Sequence, residues 1–225
     1  MDHPSGTKKR GLVAGPGFQV AKSMGHDSPL REVQADRYAG LQSMEKQVNF
    51  KGVTTVDPRH DVALRITNEA AGCGISLVAS LPDNWISDVI DVIDGDERFN
   101  HVAVNREESA VGLCSGAFFS GLGSMALMGA SGLVTVIYAI TKINYTYEVP
   151  LLVVTTLRGA PGDHHKHHVS NGLYFLPMLE SIKLTCTIVD SRDKISHISR
   201  AYDHSRTISR PVVVALTRDV LRGDA

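Results

Sequence analysis

No stretch of this sequence reaches the roughly 18–20 unbroken apolar residues that a membrane-spanning helix requires, so no membrane partner is expected. Charge of one sign is also missing. The 23 Lys and Arg offset 24 Asp and Glu, which leaves no bulk charge to hold nucleic acid, and no nucleic-acid partner is expected. Cysteine is scarce: Cys73, Cys114 and Cys186 are far apart and form no C-x-x-C pair. That excludes a closely spaced metal knuckle or redox dithiol and points to buried thiols in a reducing compartment. The start, MDHPSGTKKRGLVAGPG, lacks the apolar core of a secretory signal, so a cytoplasmic location is expected. P-loop, G-x-S-x-G and H-E-x-x-H patterns are absent as well. Gly121 and Gly123 imitate part of a dinucleotide fingerprint, but they precede an apolar strand instead of following one.

What is present divides at about residue 57. Residues 1–57 are polar, carry Pro4, Pro16 and Pro29, and show no sustained periodicity beyond a weak helical pattern over 31–46. Such a segment buries too little apolar surface to offset its ordering entropy, and reads as a flexible extension that orders only against a partner. From 58 to 225 short apolar runs alternate with helical patterns. Strands are expected at 75–80, 100–104, 124–128, 149–155, 185–189 and 211–217. Helices are expected at 61–71, 85–93, 133–145, 172–182 and 192–207, with a further small-residue helix after Glu107. The fold class is therefore α/β: a single three-layer, doubly wound domain with a mostly parallel six-stranded sheet. In such sheets ligands gather beyond the carboxyl ends of the strands, here residues 81–84, 105–108, 129–132 and 157–171.

Those loops hold the chemistry. Glu107 follows a strand and opens a helix containing Ala110, Gly112, Gly116 and Ala117. A carboxylate there either complements the helix dipole or, set against close-packed small residues, serves a site. Asp83 is either the N-cap of the next helix or an active-site acid. The loop RGAPGDHHKHHVSNG carries Arg158, Lys166 and four histidines, His164, His165, His167 and His168. Adjacent imidazoles in one loop rarely converge, and no Cys or carboxylate set completes a tetrahedron, so no metal is assigned. The loop is either a solvated surface or a handler of protons and anions.

Together these residues resemble the pyrimidine-binding (PYR) domain of thiamine diphosphate (ThDP) enzymes. More narrowly, they are similar to the α subunit of sulfopyruvate decarboxylase and the matching half of phosphonopyruvate decarboxylase. The resemblance rests on Leu81-Pro82-Asp83, on Glu107 with Ala110 and Gly116, and on Ser131-Gly132-Leu133. Arg158-Gly159, Pro161-Gly162, His168-Val169 and Gly172 complete the set, which covers residues 61–217. The chain departs from the family at Ala130 and at Val134-Thr135, where the family reads Asn-Ser-Gly-Leu-Gly-Asn, and in having four histidines.

The resemblance implies a 2-oxo acid decarboxylase that uses thiamine diphosphate and Mg²⁺. Glu107 would share a proton with the cofactor's aminopyrimidine, and Pro82, Ser131 and Gly132 would line the cofactor. His168, His167 and Asp83 would handle protons, while Arg158 and His168 would meet the anionic substrate. The Gly-Asp-Gly that begins the family's Mg²⁺–diphosphate motif is absent; the nearest match runs Asp94-Gly95-Asp96. The diphosphate-binding β subunit, with its Mg²⁺ ligands, is therefore expected on a second polypeptide, in a hetero-oligomer such as α2β2 or larger. A carboligase or transferase subunit, and a non-catalytic scaffold, are the alternative readings.

Overall fold

A computed structural model describes residues 57–225. The polar extension, apart from Asp57, and the helical pattern over 31–46 lie outside them. Helix α1 (Pro58–Gly72) is capped by the Asp57 carboxylate, which accepts the Arg59 N–H at 3.0 Å, and has proline in its first turn. Then come β1 (Ile75–Ser80), α2 (Ser87–Asp94), β2 (Asn100–Ala103), α3 (Glu107–Phe119) and β3 (Gly123–Met128). Next are α4 (Ala130–Thr135), α5 (Ile137–Ile140), a π turn (Thr141–Tyr145), β4 (Leu151–Leu157) and α6 (Lys166–Ser181). The chain closes with β5 (Thr185–Val189), a 3-10 turn (Arg192–Ser196), α7 (His197–Ile208), β6 (Pro211–Thr217) and α8 (Arg218–Arg222).

The six strands are all parallel, in the order β2-β1-β3-β4-β6-β5. One face packs Ile66 of α1, Ile93 of α2, Ile198 of α7 and Val220 of α8 against Val78, Leu127, Val154 and Val214. The other packs Val111 of α3, Leu133 of α4, Ile140 of α5 and Phe175 of α6 against Ala79, Met128, Val153 and Val213. Every residue of β4 and β6 except the last is buried, as largely apolar central strands covered on both faces require. Each such Val or Leu contributes about 1.5–3 kcal/mol. Burial pushes the Cys114 thiol up to about 12 and those of Cys73 and Cys186 up to about 11, and all three cysteines are free.

Three local readings change. The helix expected over 133–145 begins earlier and is broken, so Ser131 and Gly132 form the first turn of α4 and not a turn before a helix. The β-branched run Val134 to Ile137 weakens a continuous helix. The π turn then aims buried Asn144 inward, where its Nδ2 donates to Ser115 Oγ and to the Val149 carbonyl, each at 3.1 Å. The helix expected from 172 starts at Lys166, which moves His167 and His168 out of the loop and onto α6. Finally, α8 was not anticipated.

Strand β2 is a short edge strand with Asn100, Val102 and Ala103 exposed. A histidine braces it. The His101 side chain meets Ser80 Oγ of β1 through Nε2 at 2.7 Å and Asp94 Oδ1 at the end of α2 through Nδ1, also at 2.7 Å.

Candidate active site

The strand order reverses direction at β1: the chain runs outward to β2 and then crosses back to β3. The connections leaving β1 and β3 therefore diverge to opposite faces, α2 on one and α4 on the other, and open a crevice between their carboxyl ends. Asp83 stands in the connection after β1. On the far side of the crevice lies the segment Gly129-Ala130-Ser131-Gly132, which leaves β3 and begins α4.

Each residue of that segment is met by a different element. Gly129 lies so close to the Asp83 carboxylate that a side chain at 129 would strike it. The Ala130 N–H donates to Thr156 Oγ1 of β4 at 3.1 Å. Ser131 Oγ accepts from Asn171 Nδ2 of α6 at 2.8 Å, and Asn171 in turn accepts from the Tyr174 hydroxyl. At Gly132 an added Cβ would fall 2.6 Å from Glu107 Oε1 and 2.7 Å from its Cγ. Glycine at 132 thus lets the Glu107 side chain lie directly on the backbone of α4. Glu107 is half-buried in the first turn of α3 and has no hydrogen bond or ion pair among the described residues. Its neighbour Glu108 is held below the ordinary carboxylate range by its backbone N–H and then by Arg106.

Arg158, just past β4, organises the second half. It is only 8% exposed. Nη2 donates to Asp83 Oδ2 at 2.5 Å, Nη1 to His168 Nε2, and Nε to Thr156 Oγ1 at 3.3 Å. The guanidinium also lies over the Trp85 ring, 4.5 Å from its centroid. Because arginine only donates, His168 Nε2 must accept, so Nδ1 carries the hydrogen and donates to Asp163 Oδ1 at 2.9 Å. The result is a continuous chain Asp83–Arg158–His168–Asp163. Burial pushes the Asp163 carboxyl up, but His168 and the N–H groups of Gly159 and His165 outweigh it and leave it below the ordinary range. The loop is clamped to α6 at two glycines: a Cβ on Gly159, whose φ is +83°, would lie 2.5 Å from the His168 carbonyl and 2.7 Å from the Gly172 nitrogen.

The geometry therefore sorts the residues singled out in the sequence. Glu107, Asp83, Ser131 and Gly132 converge on one backbone segment, with Pro82 exposed beside Asp83. Asp83 also accepts the Trp85 N–H at 2.9 Å, but α2 begins only at Ser87 and has no side-chain cap, so Asp83 closes a local turn and is not the N-cap of that helix. Arg158 is buried with its donors directed at protein groups, the ion-pair arrangement and not that of a free anion receptor. Both nitrogens of His168 are engaged. His167 is exposed, its ring 4.2 Å from that of His168, while His164 and His165 are also exposed on the loop. Among the described residues no group of three or more His, Cys, Asp or Glu is arranged to hold a metal. Sequence reasoning missed Trp85, Thr156, Asp163 and Asn171. Only Thr156, one of two hydroxyls near the end of a largely apolar strand, carried a local signal.

No family model matches the chain. Among curated proteins it is 29% identical over 147 residues to sulfopyruvate decarboxylase of Methanosarcina acetivorans, covering 65% of this chain and 38% of that one. It is 29% identical over 111 residues to sulfopyruvate decarboxylase subunit alpha of Methanococcus maripaludis, covering 49% of this chain and 66% of the relative. Against phosphonopyruvate decarboxylase of Streptomyces viridochromogenes it is 29% identical over 100 residues, covering 44% and 25%. The matches thus span 38% and 66% of the first two relatives' lengths. Among solved structures, 2-oxoglutarate:ferredoxin oxidoreductase from Magnetococcus marinus superimposes with a TM-score of 0.55 at 14% identity, covering 85% of this chain and 35% of that one. That likeness concerns the fold alone. The chain is thus similar in sequence to sulfopyruvate and phosphonopyruvate decarboxylases, as its motifs indicated, on a fold shared with a 2-oxo acid oxidoreductase.

Proposed function

We propose that this chain is the α subunit of a thiamine diphosphate-dependent 2-oxo acid decarboxylase, acting on sulfopyruvate- or phosphonopyruvate-like substrates. One observation carries the reading. Glu107 is a half-buried carboxylate with no partner among the described residues, laid against the bare backbone of Gly132 in a crevice at the strand-order reversal. A carboxyl group so placed fits a flat aminopyrimidine: it can share a proton with a ring nitrogen, and no side chain at 132 intervenes. Pro82, Ser131 and Gly132 would line the ring. When bound, thiamine diphosphate supplies the electron sink that accepts the electron pair left by loss of CO₂.

The chain's own residues then have distinct tasks. Glu107 holds and returns a proton at the aminopyrimidine. His167, exposed at the start of α6, is the proton donor facing the substrate, while His168, with both nitrogens occupied, fixes the first turn of α6. Asp83 contributes a second carboxylate across the Gly129–Gly132 segment. Arg158, buried and paired with Asp83 and His168, holds both in position. The diphosphate and its Mg²⁺ would be held by a β subunit, since Gly-Asp-Gly does not occur in the sequence. A subunit boundary is supported by α3, which presents Gly112, Leu113, Gly116 and Phe119 outward from the same helix that begins with Glu107. The name "subunit alpha" carried by relatives points the same way. A cytoplasmic location accords with three free thiols.

The test is co-expression with the diphosphate-binding partner and assay of CO₂ release from 2-oxo acids. Glu107→Gln should lower turnover by about 10²–10⁴ while the complex still assembles, because it removes a positioned acid–base group. Turnover near that of the unaltered complex would overturn the assignment of Glu107. Carboligation products without free aldehyde would redirect the reading to a carboligase.

A further inference from the structure

At the far edge of the sheet from β2, a groove of about 260 Å³ runs between β5 and α7. It lies toward the amino ends of the strands, opposite the crevice: Thr185 opens β5, and its register partner Val212 is the second residue of β6. Three nitrogen-rich side chains, His197, Arg200 and His204, face it from α7, and two hydroxyls, Thr185 and Thr187, face it from β5. The spacing makes this arrangement cooperative. Positions i, i+3 and i+7 fall on one face of a helix, and i and i+2 on one face of a strand.

Two further features set the groove apart from an ordinary solvated surface. Among the described residues, the side chains of Thr185, Thr187, Arg200 and His204 make no hydrogen bond or ion pair. His197 Nδ1 is buried with no hydrogen-bond partner among the described residues, where a lost hydrogen bond is costly. Of the flanking carboxylates, Asp190 pairs with Lys194 at 2.6 Å while its charge also reaches His197, and Asp203 acts on Cys73 and Tyr202, on the α1 side of the helix. An arginine, two imidazoles and two hydroxyls left without partners are complementary to an anion. The helix rises about 10 Å from residue 197 to residue 204, so Arg200 and the two imidazole donors would span more than one anionic group.

We propose that this groove binds a compact polyanion bearing at least two anionic groups, such as a phosphorylated small acid or a diphosphate. Arg200 supplies the charge-assisted fork, His197 and His204 bond the two ends, and the threonine hydroxyls close the strand side.

The test is titration calorimetry of the full chain with inorganic pyrophosphate at pH 7, without a partner subunit. Saturable one-to-one binding is expected. Arg200→Glu should weaken it by about tenfold or more, and Thr187→Val by several-fold, through the loss of direct hydrogen bonds. Arg65→Glu, an exposed arginine on α1, should leave it unchanged. Thermal melts of each variant establish that the fold persists. Absence of saturable binding would overturn the proposal. So would equal weakening by Arg200→Glu and Arg65→Glu, which would mean that only net charge is felt.

Discussion

Arg158 shows how one side chain can join parts that are distant in the sequence. Its planar guanidinium reaches Asp83, 75 residues away, as well as His168 and Thr156, and stacks on Trp85. Lysine offers one compact charge and no fork, so it cannot satisfy these partners together. Arg158→Lys should therefore lower stability by about 2–3 kcal/mol in urea unfolding at pH 7. The difference should shrink in acid. The Asp163 carboxyl is held below its ordinary range, so its contribution is present above the unfolded value of about 3.9 and fades as pH falls through the folded value. A change below about 0.5 kcal/mol at pH 7 would remove the network from the account of stability. At this scale the sequence was readable where the setting is local, as with Glu107 in the first turn of α3. It was unreadable for Asp163, whose importance comes from His168 turning back onto it after α6 begins.

At the scale of elements, α3 carries a contradiction within this chain. Gly112 and Gly116 stand in the middle of an exposed helical face, and a Cβ at either would meet nothing within 4 Å. Glycine there costs about 0.8–1 kcal/mol each relative to alanine, and the isolated fold gains nothing in return. The smooth strip is explained if another surface presses against it. The double variant Gly112→Ala, Gly116→Ala should raise the stability of the lone chain by about 1–2 kcal/mol and weaken its co-purification with the β subunit proposed above. Undiminished assembly would separate the glycines from any interface. Element starts were the least legible feature. The residues 166–171 have poor helix formers and no side-chain cap, and their helicity comes from the docking of α6 at Gly159 and Gly172. The early start of α4 likewise depends on Thr156 receiving the Ala130 N–H, a contact no local pattern announces.

For the molecule as a whole, alternation of apolar runs with helical patterns was enough to yield the layered α/β class and the six strands, because β4 and β6 are largely apolar. The order of strands, and hence which loops share the crevice, depends on long-range pairing that has no local trace. His101 is a case in point: as a lone polar residue in a short strand it announced nothing, yet it joins the two strands that lead to Asp83 and to Glu107. Ser80, which it holds, leads within three residues to Asp83; β2, on which it sits, leads within six to Glu107. The two carboxylates are thus coupled mechanically at their bases, as two blades are by a pivot. His101→Ala should free that pivot, speeding amide exchange in both 81–86 and 104–110 while β4 and β6 stay protected. Faster exchange in β2 alone would mean that the two carboxylate-bearing connections move independently. With the pivot intact, the gap between the carboxylates is set more by the stiffness of the sheet edge than by the loops that carry them, and this would let those loops change in sequence without losing their aim.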